Sequence, residues 1–252
     1  MFSSLAYPGN ELTGTKELTG LIADKYGNGG WRIENKYYIS LKECGELRER
    51  LRAVMHKDPH SDDNWSYLIS SVYFDTVDDR ALREADGGLT VRKKYRIRAY
   101  NYSDELISVE RKVKCGTLSC KTSFKTNRSV YDAIMRGDYE VLRSIDHPLA
   151  RDFYYDLTSG GYRPKTIVEY DREVYVYPIC DVRITFDRNI RGSVSGVDLF
   201  SEHVLGETLP PYVVLLEVKY NHTLPDFIRS LLPTDVMQKI SNCKYVLCRE
   251  YM

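Results

Sequence analysis

Arg92-Lys93-Lys94-Tyr95-Arg96-Ile97-Arg98-Ala99-Tyr100 is the stretch on which the fold turns. Successive side chains of an extended strand point to opposite faces, so residues of one parity share a face. Sorted this way, Arg92, Lys94, Arg96 and Arg98 lie together, and most of the other face is apolar. Like charges at neighbouring same-face positions repel unless an anion lies among them.

The same sorting applies on either side. Across a turn at Asn101-Tyr102-Ser103-Asp104, the strand from about Glu105 to Lys114 places Glu110, Lys112 and Lys114 on one face and Ile107, Val109 and Val113 on the other. Arg32, Glu34 and Lys36 alternate with apolar positions near the start, as Glu217 and Lys219 do beside Leu216 and Val218 near the end. The spacing Glu-x-Lys thus occurs at 34/36, 110/112 and 217/219. On one strand this is the wet face of an amphipathic sheet. Repeated on several strands beside four cations, it points to a closed barrel that aims these faces at one interior, with a multiply phosphorylated ligand as the missing anion. Glutamates in so basic a cavity suit Mg²⁺ or Mn²⁺ carried by the phosphates.

Between these strands the pattern changes. Ser40 caps a helix carrying Leu41, Leu47, Leu51 and Val54. Ser70 to Asp75 reads as a short apolar strand, followed by a turn or short helix from Val77 to Ala85. Ser129 to Ser159 is helical, with a second segment starting at Pro148. Lys165 to Asp187 holds two or three strands, and Tyr212 to Tyr220 one more; Leu224 to Leu232 and Asp235 to Val246 are expected as short helices. Paired strands rich in Tyr, Val and Ile favour an antiparallel barrel or curled sheet over a doubly wound parallel one. Residues 1 to 30, ending in Gly27, Gly29 and Gly30, are expected as a loosely attached, flexible arm, with residues 31–252 as one domain.

Lys+Arg and Asp+Glu balance at 36 each, so no broad field steers the chain to nucleic acid, and any anion site is local. No apolar run is long enough to span a bilayer, and the N-terminus shows no leader pattern, so a soluble, cytoplasmic protein is expected. Cys115/Cys120 and Cys243/Cys248 are spaced more widely than a zinc knuckle, and the cysteines are read as reduced structural thiols. No phosphate-cradling glycine loop or kinase signature offers another nucleotide site.

These residues resemble the VTC polyphosphate polymerase domain, a branch of the triphosphate tunnel metalloenzymes. The likeness spans about residues 31 to 250. It is carried by Arg32-Ile33-Glu34-Asn35-Lys36-Tyr37, Ser71-Val72-Tyr73-Phe74-Asp75, Arg96-Ile97-Arg98-Ala99-Tyr100, Glu110-Arg111-Lys112, Tyr170-Asp171-Arg172, Arg183-Ile184-Thr185-Phe186-Asp187, Leu216-Glu217-Val218-Lys219 and Lys244-Tyr245. Arg32, where the wider superfamily has a first glutamate, fits the VTC branch. The family's closing Ser-Lys-Tyr is here Cys243-Lys244-Tyr245, and Lys239 and Lys244 are spaced more widely than the family's two lysines.

The resemblance implies an α+β fold, an antiparallel eight-stranded β-barrel forming a triphosphate tunnel with flanking helices. It implies transfer of the ATP γ-phosphate to a growing polyphosphate chain, with Mn²⁺ or Mg²⁺ as cofactor. By position, Lys36, Arg96, Arg98, Lys112, Lys121, Arg172, Arg183, Lys219 and Lys244 would hold phosphates, with Arg96, Arg98, Lys112 and Lys244 catalytic. Glu217 would be the principal metal ligand, assisted by Glu34 or Glu110. ATP and polyphosphate are the expected partners, together with a membrane or regulatory partner protein that receives the product. The alternatives are a triphosphatase using the same tunnel and a non-catalytic polyphosphate or nucleotide binder.

Overall fold

The structure is a computed structural model that describes residues 30–234 and 237–250. The arm expected over residues 1 to 30 therefore lies, apart from Gly30, outside the described residues.

In chain order the strands are β1 (Arg32–Ser40), β2 (His56–Lys57), β3 (Ser66–Asp75), β4 (Val91–Tyr100), β5 (Ser103–Cys115), β6 (Leu118–Thr126), β7 (Arg163–Tyr177), β8 (Val182–Ser195), β9 (Val204–Glu207), β10 (Val213–Tyr220) and β11 (Gln238–Lys239). The α-helices are α1 (Leu41–Arg52), α2 (Arg80–Asp86), α3 (Arg128–Met135), α4 (Pro148–Thr158), α5 (Asp226–Leu231) and α6 (Lys244–Glu250). Every pairing is antiparallel. The order β7-β3-β4-β5-β6-β1-β10-β8 closes on itself because β8 also pairs with β7, giving a ring of eight strands. The narrowest seam is between β1 and β6, at Arg32↔Ser119 and Ile33↔Leu118. β2, β9 and β11 are short additions on β7, β8 and β1.

The apolar strand faces point outward and are covered. Ile97 and Tyr95 of β4 and Ile107 and Val109 of β5 pack against Tyr131 and Ile134 of α3 and Phe153 and Leu157 of α4. On the opposite flank Tyr37 and Ile39 of β1, Leu216 and Val218 of β10 and Phe186 of β8 pack against Leu47 and Leu51 of α1 and Ile228 of α5. Each such large side chain, fully buried, contributes roughly 1.5–3 kcal/mol, so the core of this molecule is a shell around the ring. The charged faces have nowhere to go but inward. α6 closes part of the inner end, where Tyr245 stacks on Tyr73 with ring centroids 5.2 Å apart.

Several sequence expectations change. α1 starts at the Ser40 cap in a capping box with Glu43, yet its buried stripe is Cys44, Leu47 and Leu51; Leu41 and Val54 are exposed, and the helix ends at Arg52. The strand expected at Ser70 begins at Ser66, and Lys165 to Asp187 belongs to two long strands, the second running on to Ser195. They are joined through Cys180 and Asp181, both at positive φ. β6 has no counterpart in the sequence reading, because its outer Cys120 and Phe124 alternate with Ser119, Lys121 and Ser123 and leave no apolar run. The helix expected over Asp235 to Val246 is instead a bend at Met237, β11, an irregular stretch over 240–243 and α6, with residues 235 and 236 outside the described residues. Among the described residues no helix is long and apolar enough to cross a membrane.

Candidate functional site: a tunnel of paired charges

Strand parity brings the predicted residues to one lumen. β1 supplies Glu34 and Lys36, β4 Arg96 and Arg98, β5 Glu110 and Lys112, β6 Lys121, β7 Arg172, β8 Arg183, and β10 Glu217 and Lys219; Lys244 enters from the first turn of α6. Apart from Glu110, all of them line the two cavities that make up the wide section and the waist, and Glu110 is buried beneath Arg96 and Lys121. The wide section encloses about 610 Å³.

The pairings are close. Glu34 accepts from Lys112 at 2.7 Å and lies 3.3 Å from Lys36 Nζ. Glu217 accepts from Lys219 at 2.8 Å, Lys244 at 3.0 Å and Arg172 at 3.3 Å. Arg172 clamps Asp187 in bidentate fashion at 2.6 and 2.7 Å, and Lys244 Nζ sits 2.6 Å from the same carboxylate. Glu110 is gripped by Arg96 at 2.6 Å and Lys121 at 3.3 Å, with Arg98 3.8 Å away. At the rim Arg183 bonds Tyr67 at 2.9 Å and pairs with Asp58 at 2.6 Å.

These contacts set the protonation states. Burial pushes the carboxyls of Glu34 and Glu217 up, but the surrounding lysines and Arg172 outweigh it and hold both well below the usual carboxylate range. Glu110 is held low in the same way, by Arg96 first. Lys219 shows the cost on the other side: burial lowers it to about 8 despite Glu217 and Glu34. Removing one partner of such a buried pair leaves an uncompensated charge.

The three glutamates do not form a single cluster. Glu34 and Glu217 are diagonal neighbours on β1 and β10, where Lys36 faces Glu217 and Glu34 faces Lys219. Glu110 lies elsewhere in the ring, on β5, and among the described residues no three His, Cys, Asp or Glu side chains converge as a protein-only metal site. One or two carboxylates beside phosphate-binding cations is the donor set that Mg²⁺ or Mn²⁺ uses when phosphates and water complete its shell, so the residues fit such an ion.

Sequence reasoning left several lumen residues without a role. Asp187 alternates with Arg183 and Thr185, so its parity was a usable signal. Tyr170 is another: its ring lies 4.7 Å from Lys244 Nζ and 5.1 Å from the Arg172 guanidinium carbon. Asp58 follows the short β2, and no pattern marks it. Cys243 receives a 2.7 Å hydrogen bond from Lys94 and is held to about 6, burial pushing it up but Lys94 and Lys36 outweighing that. None of the six cysteines is in a disulfide. Lys239 pairs with β1 opposite Tyr37 and is exposed, so of the two closing lysines only Lys244 reaches the lumen.

No curated protein matches the chain in sequence. Similar solved structures include a candidate adenylate cyclase from Bacillus halodurans, 14% identical with a TM-score of 0.45, covering 80% of this chain and 87% of that one. A protein from Pyrococcus horikoshii OT3 is 15% identical with a TM-score of 0.45, covering 88% and 99%. The Mimivirus capping-enzyme triphosphatase is 11% identical with a TM-score of 0.38, covering 86% and 93%. Every strand of the ring and every inward-facing charge described above falls within residues 31–252, the stretch that matches the model of the VTC domain, and the chain belongs to that family.

Proposed function

We propose that the chain is a polyphosphate polymerase that moves the γ-phosphoryl group of ATP onto the end of a phosphate chain held in the same lumen. The observation that carries this is the ring of buried and half-buried, carboxylate-paired cations: Lys36, Arg96, Arg98, Lys112, Arg172, Lys219 and Lys244 surround one bore. Phosphoryl transfer asks mainly for positioning and charge neutralisation. A terminal oxygen of the chain attacks the γ-phosphorus, the bond to the β-bridging oxygen breaks, and ADP leaves. Arg96, Arg98 and Lys112 bind and orient the oxygens of the group in flight, and Lys244 with Arg172 neutralises charge as it shifts to the leaving phosphate. Lys121 and Arg183 stand nearer the wide mouth, where they receive the nucleotide's phosphates. Glu217, with its diagonal neighbour Glu34, would hold Mg²⁺ or Mn²⁺, which supplies Lewis-acid polarisation of phosphoryl oxygens when bound; Glu110, on β5 and gripped by Arg96 and Lys121, stands apart from that pair.

A second reading is a triphosphatase, favoured by the wide mouth, which has room for water beside a bound triphosphate. The test is incubation with ATP and Mn²⁺ or Mg²⁺, with and without a short polyphosphate primer, reading ADP, free phosphate and polymer. Polymer in step with ADP is expected, reduced on the order of a hundredfold or more in Glu217→Gln. Free phosphate without polymer would mean a triphosphatase. ATP binding with no product would mean a binding module.

A further inference from the structure

Cys243 stands where the family's closing motif has a serine, so the lumen of this chain carries a sulfur nucleophile on its wall. It lines both the waist and a narrower cavity of about 50 Å³ beside it, whose wall holds Lys36, Lys94 and Lys112 and, among the described residues, no carboxylate. Lys94 reaches it from β4 and donates to Sγ at 2.7 Å, and the Val246 N–H donates to the same sulfur. Burial raises the thiol, but Lys94 and Lys36 outweigh it and hold the group to about 6, so at neutral pH the sulfur is a thiolate paired with an ammonium. Most of the other cysteines differ. Cys44, Cys115, Cys120 and Cys248 are buried, and burial pushes Cys44, Cys120 and Cys248 up, the last to about 12. Buried thiols of that kind are inert.

Room at the sulfur matters as much as charge. One water needs about 10–15 Å³, so the cavity beside Cys243 holds a few water-sized molecules and excludes larger electrophiles. We infer that Cys243 is a modification site: Lys94 presents its thiolate to hydrogen peroxide, which oxidises it to the sulfenic acid and thereby unseats Lys244 from the lumen. The sulfur attacks one peroxide oxygen; the S–O bond forms as the O–O bond breaks, and the departing hydroxide takes a proton from the Lys94 ammonium and leaves as water. The sulfur is oxidised by two electrons and the peroxide reduced by two. Lys94 regains its proton from solvent, and a thiol reductant returns the sulfenic acid to the thiol. The consequence lies one residue on. Lys244 follows Cys243 directly, and its ammonium holds Glu217 at 3.0 Å and Asp187 at 2.6 Å. An oxygen added at Cys243 displaces both donors from the sulfur, and the first turn of α6, which carries Lys244, shifts with them. That activity in the lumen then falls rests on the role given to Lys244 above; the oxidation itself does not.

The experiment exposes the full chain at neutral pH to hydrogen peroxide with dimedone, which traps sulfenic acids, and maps the adducts by mass spectrometry. Adduct is expected at Cys243 ahead of the other five cysteines, and about tenfold or more slower in Lys94→Gln, where the thiol loses its ammonium. Adduct absent from Cys243, or formed as fast without Lys94, overturns the site. Should Lys94→Gln fail to fold, the pH profile of the wild-type reaction decides: a rate half-maximal near pH 6 supports the pair, and one near the ordinary thiol value of about 8.5 overturns it. ATP turnover reads the consequence. Peroxide should lower ADP formation by about tenfold in the wild type, dithiothreitol should restore it, and Cys243→Ser should be insensitive. Unchanged turnover by fully oxidised protein overturns the switch. If the wild type turns over no ATP yet the Lys94-dependent adduct forms, the phosphoryl-transfer reading fails and the modification site stands.

Discussion

Lys219 and Lys114 show what the lumen asks of single side chains. Both sit near 8, below the ordinary lysine value, because burial and neighbouring cations disfavour their charge. The folded chain therefore binds fewer protons than the unfolded chain between about 8 and 10.4, so their contribution to stability rises with pH across that window. Phosphate needs the charged forms, so ligand affinity runs the other way. Tripolyphosphate binding, measured by calorimetry, is expected to weaken from pH 7.5 to pH 9, while the ligand-free melting temperature in the same buffers holds or rises. Identical affinity at both pH values would mean that neither lysine contacts the anion. The glutamates tell the complementary story: they stay ionised only because several cations surround each one.

At the scale of elements, the outer helices hold the ring from outside the lumen. α1 is set by Ser40, whose Oγ accepts from Glu43 N at 3.2 Å while the Glu43 carboxylate accepts from Ser40 N at 2.7 Å. Ser40→Ala should lower unfolding free energy by about 1 kcal/mol in urea denaturation and leave tripolyphosphate affinity unchanged. α4 is held more strongly. Phe153 is fully buried, stacked on Tyr95 at 4.8 Å and edge-on to Phe74 at 5.1 Å. Phe153→Ala should cost about 3–5 kcal/mol, read from the same denaturation midpoint. If that variant lost binding while keeping its stability, the division between an outer structural layer and an inner binding layer would be wrong.

For the molecule as a whole, a closed ring concentrates charge that the chain's neutral total conceals. Buried ion pairs are weak sources of stability, because desolvation offsets much of their attraction. The ligand-free fold thus rests on the apolar shell outside the ring, and a polyanion adds to it. Saturating tripolyphosphate, at about a hundredfold excess over its Kd, should stabilise the fold by about 2.7 kcal/mol, seen as a raised melting temperature; no shift would show that the lumen does not bind it.

Much of this was legible in the linear order of residues. Period-2 alternation marks which side chains share a face whatever the strand packs against, so Arg96 with Arg98, Glu110 with Lys112 and Glu217 with Lys219 could be grouped without coordinates. The Ser40 cap and Pro148 helix start are equally local, needing only neighbours in the chain. Which face turns inward is not local: it follows from where α1, α3, α4 and α5 cover the apolar sides, and from the β7–β8 pairing that closes the ring. The same holds for Asp58 and Cys243. Their meaning depends on which charges stand opposite, and electrostatic compensation is a property of distances in space that spacing along a chain does not encode.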